Sequence, residues 1–435
     1  MNPNPSAAGS VPNSNPALTK IYAKINLRLL PFLLLCYFFA YLDRVNIGFA
    51  KLQMQSDLGM SDAVYGFAAG IFFLGYVMFE VPSNLLLEKI GARKSIARIM
   101  VLWGLTSASM LFVTNETSFY ILRFLLGVFE AGFAPGMIFY LTYWYSGARM
   151  ARVMSIVMLA GPLGGMLGGP VSAWIMATMS DSTVMAGWQW LFLIEGLPCV
   201  FLGVMAFFYL DDKPGQAKWL SPTERTLLAQ DIGQTKETSH HGFKTVLRDP
   251  WVYLLAFAYF CIISGIYAVA FWLPTLISNS GVTDLKQVGL YSAIPYLCAA
   301  LFMWWFAKSS DKHQERRWHS TLPALFAAIG LSLAIVFGDH FAVSLAAISL
   351  ATGLMWAAYT VFWAIPSQYL EGSAAAGGIA LINSIGLLGG LVSPMLMGFV
   401  KEATGSLMAG WFSIAGVLAL GALTLLFVAQ KKKKA

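Results

Sequence analysis

Charge is what this sequence has least of. Charged residues make up 11% of its 435 positions, against about 25% in a soluble domain, while hydrophobic residues reach 58% and the mean hydropathy is +0.67. No water-soluble core needs so much apolar chain, so a soluble multidomain protein is excluded. Cysteine is scarce too: Cys36, Cys199, Cys261 and Cys298 all lie in apolar runs, where they act as small apolar side chains, and no disulfide is expected. The five histidines, at 240, 241, 313, 319 and 340, fall in polar stretches or at the ends of apolar runs. They offer neither metal-ligand spacing nor a membrane-enzyme triad. The chain also lacks a Gly-x-x-x-x-Gly-Lys phosphate loop, which argues against direct ATP coupling. An enzyme is not expected, nor any cofactor.

What the chain does have is apolar runs of bilayer length, about 20 residues each. Twelve are read, near 29–50, 64–86, 98–114, 118–144, 151–178, 188–210, 250–278, 286–308, 320–337, 340–368, 375–400 and 407–429. The polar stretch 211–249 is too charged to cross a bilayer and divides the chain six plus six. The expected organisation is a disordered cytoplasmic tail over 1–28, a six-helix bundle over 29–210, a cytoplasmic linker over 211–249, a second bundle over 250–430 and a basic tail over 431–435. The first nineteen residues, rich in Pro, Asn, Ser and Ala, lack the charged-then-apolar order of a signal peptide. With both termini cytoplasmic, only Lys51, Lys286 and Lys401 among the loop cations fall outside, as the positive-inside rule requires. The formal charge of +7 is then a topology signal, and no nucleic-acid partner is expected. Lys431 to Lys434 read as an anchor to anionic lipid or, formally, as a dilysine retrieval signal.

Against this background six ionisable side chains stand inside apolar segments: Asp43, Arg44, Glu80, Arg123, Glu130 and Glu195. All lie in the first half. A charge at mid-bilayer costs roughly 2.5 to 3.5 kcal/mol on insertion scales, so several of them mark a substrate or ion path. Arg123 and Glu130 are two turns apart on one helical face, about 10 Å along the axis, and can line the same cavity. Asp43 and Arg44 point about 100° apart and can reach different partners. The alternative is a set of static ion pairs joining helices one and four. Glu80 and Glu195 are expected to be structural, each paired with a local basic or backbone group.

A repeat supports two related halves. Asn84-Leu-Leu-Leu-Glu88-Lys89-Ile-Gly91-Ala-Arg93-Lys94 follows the second run, and Asp311-Lys312-His-Gln-Glu315-Arg316-Arg317 follows the eighth. Each sets a carboxylate, a cation and a basic cluster at the same place, a candidate latch for a cytoplasmic gate made by Glu88, Lys89, Arg93, Asp311, Arg316 and Arg317. The spacings of Gly66 and Gly70, Gly161 and Gly165, and Gly386 and Gly390 allow close helix approach.

The first of these loops resembles the major facilitator signature between helices two and three, with Glu88 for the usual Asp and Ala92 for a usual basic residue. Tyr41-Leu-Asp-Arg-Val-Asn46, Glu80-Val-Pro-Ser-Asn84, Arg123-Phe-Leu-Leu-Gly-Val-Phe-Glu130-Ala-Gly-Phe-Ala-Pro135 and Gly187-Trp-Gln-Trp-Leu-Phe-Leu-Ile-Glu195-Gly-Leu-Pro198 resemble the anion:cation symporter family of that superfamily. The closest likeness is to bacterial tartrate, phthalate and hydroxyphenylacetate permeases. The resemblance implies an all-α integral membrane protein of twelve transmembrane helices in two pseudo-symmetric bundles. It also implies residence in the bacterial inner membrane as a monomer, and proton-coupled uptake of an organic carboxylate. On that reading Asp43 and Glu130 couple protons, and Arg44 and Arg123 bind the substrate carboxylate. Tyr41, Tyr76, Tyr267, Trp356, Tyr359, Trp363 and Asn383 are then pocket candidates, although aromatic stripes of this kind also serve as plain packing. Two rivals stay open. The run Gly161-Pro-Leu-Gly-Gly165 loosely resembles a motif of drug:proton antiporters, and a transporter fold can serve a non-transporting nutrient sensor.

Overall fold

The computed structural model describes residues 16–233, 246–370 and 373–428. Among these the chain is helical without strands, and twelve helices are long and apolar enough to cross a membrane. They are α1 (Pro16–Leu58), α2 (Asp62–Ile90), α3 (Ala92–Phe112), α4 (Glu116–Thr142), α5 (Arg152–Thr178), α6 (Gly187–Tyr209), α7 (Pro250–Asn279), α8 (Leu285–His313), α9 (Arg317–Val336), α10 (Phe341–Ser367), α11 (Gly377–Thr404) and α12 (Leu407–Val428). Residues 1–15 of the expected tail, the linker stretch 234–245 and the basic tail Lys431–Lys434 lie outside the described residues.

One boundary differs from expectation. Residues 16–28, read from sequence as structureless tail, are the first turns of α1. Ile21, Ile25 and Leu29 recur every four residues and are buried, a stripe that a helix extension can hide. The linker docks against the same turns of α1. Its helix Pro222–Gly233 is tied to α1 by Tyr22 Oη donating to Asp231 Oδ2 at 2.5 Å and by the Lys24–Glu224 ion pair. Arg28 lies between the rings of Tyr209 and Trp219, and Trp219 stacks on Trp144 at 5.6 Å. The proximal linker therefore belongs to the first bundle.

α4 and α10, which correspond across the repeat, are both interrupted. α4 breaks after Glu130, where Gly132 takes φ 83°, a conformation open to glycine without Cβ strain. α10 breaks at Trp363, which stays in the right-handed region.

The two bundles meet along α1 with α7, α2 with α11 and α5 with α8, a set that maps onto itself when the halves are exchanged. The glycine spacings serve this interface in two ways. A Cβ on Gly66 would fall 2.3 Å from Pro394 O, and one on Gly70 2.5 Å from Leu391 O, so α2 and α11 touch backbone to backbone. Gly161, Gly165 and Gly390 instead make room for the rings of Trp356, Tyr296 and Phe73 from the opposite bundle, while Gly386 seats Tyr259 within the second.

This predicts opposite signs for two glycine-to-alanine changes. Gly66→Ala forces backbone apart and costs about 1–3 kcal/mol, lowering the melting temperature in detergent. Gly416→Ala, where a Cβ meets nothing within 4 Å, gains about 0.5–1 kcal/mol of helix stability. Melting curves that move together would show that the α2–α11 contact is not so tight.

Candidate functional site: a buried arginine between the bundles

Arg44 stands where the first bundle meets the second. It is buried, and its guanidinium bonds Glu130 on α4 through both Nε, at 2.7 Å to Oε1, and Nη2. Its Nη1 donates across the interface to Tyr267 Oη on α7 at 3.0 Å. The rings of Tyr41, Phe72 and Tyr76 lie 5.4 to 5.7 Å from its centre. One cation thus holds a carboxylate from its own bundle, a phenol from the other and a collar of π faces. Such a site suits an anion that carries its own apolar body.

The second-half candidates surround the same point. Trp356 lies 6.3 Å from Tyr41 and 5.5 Å from Tyr359, which faces Tyr259 at 6.0 Å. Trp363 meets Tyr259 at 4.8 Å, placing it one layer further along. Asn383 is elsewhere: its Nδ2 donates to Glu80 Oε1 at 3.3 Å.

Several expectations need correction. Arg123 does not share a cavity with Glu130. It is sealed inside the first bundle, donating to the α2 carbonyls of Ala68 at 3.2 Å and Ala69 at 3.4 Å over the ring of Phe72. Asp43 pairs with no arginine. It turns towards α3, accepting from Trp103 Nε1 and Ser107 Oγ, each at 2.5 Å, and from Asn46 Nδ2 at 2.9 Å. Adjacent residues on α1 face different neighbours, so of the four charges on α1 and α4 only Arg44 and Glu130 pair with each other. Glu80 is not a local pair but bridges the halves through Asn383, with Oε2 unpartnered. Glu195, expected to pair with a local basic or backbone group, is buried and accepts from the side chain of Ser172, Oγ at 2.8 Å.

Among the described residues, the contacts seen at the proposed gate residues stay within one bundle. Arg93 N bonds Asp212 Oδ1 at 2.8 Å, within the first half. Arg316 pairs with Asp311 at 2.6 Å, and Arg317 Nε reaches Leu426 O at 3.0 Å, within the second. Glu88 and Lys89 lie on the same last turn of α2.

The bundles are instead clasped at the opposite end, by residues that sequence reasoning did not assign to a site. Asp62 takes Lys51 at 2.8 Å and, from α11, Lys401 at 2.5 Å. Ser61 Oγ donates to Glu402 Oε2 at 2.8 Å, and Tyr65 Oη to Phe271 O at 2.8 Å. The Lys51 ammonium sits 3.6 Å from the Trp272 ring centre. The available signal was that Lys51 and Lys401 are two of the three loop cations on the cation-poor side. Sequence shows that they are unusual there, but not that one carboxylate joins them.

The sequence model of the Major Facilitator Superfamily matches residues 33–394. The chain belongs to the Major Facilitator Superfamily. It is a multi-pass membrane transporter of small molecules, not an enzyme. Among superfamily members it is 46% identical, over 95% of each chain, to a protein of Agrobacterium vitis described as "Putative tartrate transporter". It is 37% identical to the "Quinolone resistance transporter" of Acinetobacter baumannii, over 94% of this chain and 95% of that one. Among solved structures it shares the fold of the inward open xylose transporter XylE from E. coli, with a TM-score of 0.75, 16% identity and coverage of 95% of this chain and 97% of that one. Arg44 is a buried cation at the junction of its two bundles.

Its ion pair carries a measurable signature. Glu130→Ala strands a buried guanidinium and should cost about 3–5 kcal/mol, whereas removing both charges as Arg44→Met with Glu130→Leu should be far milder. Thermal melts of the single and double variants decide it: equal losses would mean that the pair does not act as a unit.

Proposed function

We propose that this protein is a proton-coupled symporter that takes up a small organic carboxylate, of the aromatic-acid, tartrate or related dicarboxylate class, across the bacterial inner membrane. The observation that carries the reading is the Arg44–Glu130 pair joined to Tyr267 across the bundle interface. Ionised Glu130 and an anionic substrate compete for one guanidinium. Protonation of Glu130 from the periplasmic side removes the internal competitor and leaves Arg44 for the substrate carboxylate, with Tyr267 as a second donor from the moving bundle. This is a differential interaction between two states, which a coupled transporter requires. Tyr41, Tyr76, Trp356 and Tyr359 supply apolar walls, and Asp43 serves as a second proton site. Arg123 is assigned to holding α2 against α4, because its donors are spent on α2 carbonyls. In this orientation the Lys51–Asp62–Lys401 clasp is the periplasmic gate, closed here, and rocking opens it while the basic loops after α2 and α8 come together.

A second reading, export by drug:proton antiport, is favoured by the likeness to the Acinetobacter baumannii protein. The two differ in direction. With protein in liposomes and acid outside, symport accumulates a carboxylate within, whereas antiport depletes the lumen of a cation or neutral hydrophobe.

The expected result is gradient-driven accumulation of one organic anion, lost in Asp43→Asn and in Glu130→Gln, with gradient-free exchange surviving in at least one of them. Normal accumulation by both variants would refute the coupling assignment. Asp62→Asn should release the clasp, and a cysteine placed at Phe271 should then react faster with a membrane-impermeant maleimide added from the periplasmic side. An unchanged labelling rate would mean that Asp62 is not the keystone of that gate.

A further inference from the structure

The first bundle contains a second polar chain that the Arg44 site does not use. Asp43, Asn46, Ser172 and Glu195 are all buried, with exposures of 2%, 0%, 0% and 2%. Asp43 is well supplied, taking donors from Trp103, Ser107 and Asn46 Nδ2. Glu195 takes Ser172 Oγ on Oε1 at 2.8 Å, with the Asn46 amide beside the same carboxyl. Two atoms are left over: Glu195 Oε2 and Asn46 Oδ1 are both buried and both without a hydrogen-bond partner, and the Asn46 side chain lies against the Glu195 carboxyl.

If Glu195 is ionised, both leftover atoms are acceptors, and each buried unsatisfied group costs about 1–3 kcal/mol. No cation offsets that charge. The titratable neighbours of Glu195 are Asp43, of the same sign, and the Cys199 thiol. Arg123 and Glu130 act from the Asp43 side. A single proton on Glu195 Oε2 removes every difficulty at once, because the acid then donates to Asn46 Oδ1 and satisfies both atoms.

We propose that Glu195 is a proton-bearing acid and that it shares one proton with Asp43 across the Asn46 amide. In the arrangement described, Glu195 is neutral and donates to Oδ1, while Nδ2 donates to ionised Asp43. When a proton arrives at Asp43 and the Glu195 proton is released, a half-turn of the amide gives the mirror arrangement, in which neutral Asp43 donates to Oδ1 and Nδ2 donates to ionised Glu195. Each form holds one proton and one negative charge, so the exchange moves charge within the bundle without creating any. Ser172 and the pair Trp103 and Ser107 hold the two carboxyls in place throughout. The consequence for transport rests on the proton-coupled reading: Asp43, next to Arg44 on α1, would draw on a reserve proton far from the substrate.

Infrared spectroscopy of protein in nanodiscs at neutral pH tests the proton without measuring transport. The wild type should show a carboxylic-acid C=O band that shifts in deuterated water. Ser172→Ala removes the donor to that carbonyl and should move the band to higher frequency, and Glu195→Gln should abolish it. Coincident spectra for wild type and Ser172→Ala overturn the proposal even if Glu195→Gln does not fold. The shared proton is read separately from uptake against pH, where Glu195→Gln should displace the profile while keeping gradient-free exchange; a superimposable profile overturns it. Wild-type uptake indifferent to a proton gradient would instead refute the coupled-transport reading and leave the infrared result standing.

Discussion

The structure depends on how a guanidinium can be kept in an apolar interior. An ion there costs several kcal/mol unless a partner of opposite charge and full hydrogen bonding compensate it, and the chain meets this requirement twice by different means. Arg44 is compensated by a carboxylate, with a phenol from the other bundle. Arg123 is compensated by main-chain carbonyls. The first kind can be exchanged for a substrate anion, because the partner can be neutralised by a proton. The second cannot, since a carbonyl does not titrate and α2 cannot leave without unpacking the bundle.

The same division runs through the rest of the molecule. Within each half the contacts are those of a permanent core, such as Trp103 and Phe133 packed at 5.9 Å or the linker helix pinned to the start of α1. Between the halves they are of a kind that can be remade: an ion cluster at one end, rings seated on glycines in the middle, and a single amide against Glu80 towards the linker.

Much of this was legible in the sequence. The twelve spans follow from hydropathy because a bilayer demands about 20 apolar residues per crossing. The two related halves follow from the repeated loops, and the importance of α1 and α4 follows from Asp43, Arg44, Arg123 and Glu130. The partners were not legible. Asp43 and Glu130 read alike as intramembrane carboxylates, yet one turns to Trp103 and Ser107 and the other to Arg44, because Asp43 and Arg44, one apart on α1, face different neighbours. Residues 16–28 were misread for a related reason: their stripe is short and polar-flanked, and what holds these turns, Tyr145 and the linker helix, lies far along the chain.

By itself the sequence determined membrane residence, the number of spans and the presence of buried charge, all properties of composition and local periodicity that no neighbour can alter. Tertiary structure alone decided which carboxylate meets which cation, that Asp62 joins Lys51 to Lys401, and that Glu80 and Glu195 are drawn into contacts across or deep within the bundles. Those outcomes depend on the rotation of each helix about its axis, which is set by packing between segments far apart in the chain.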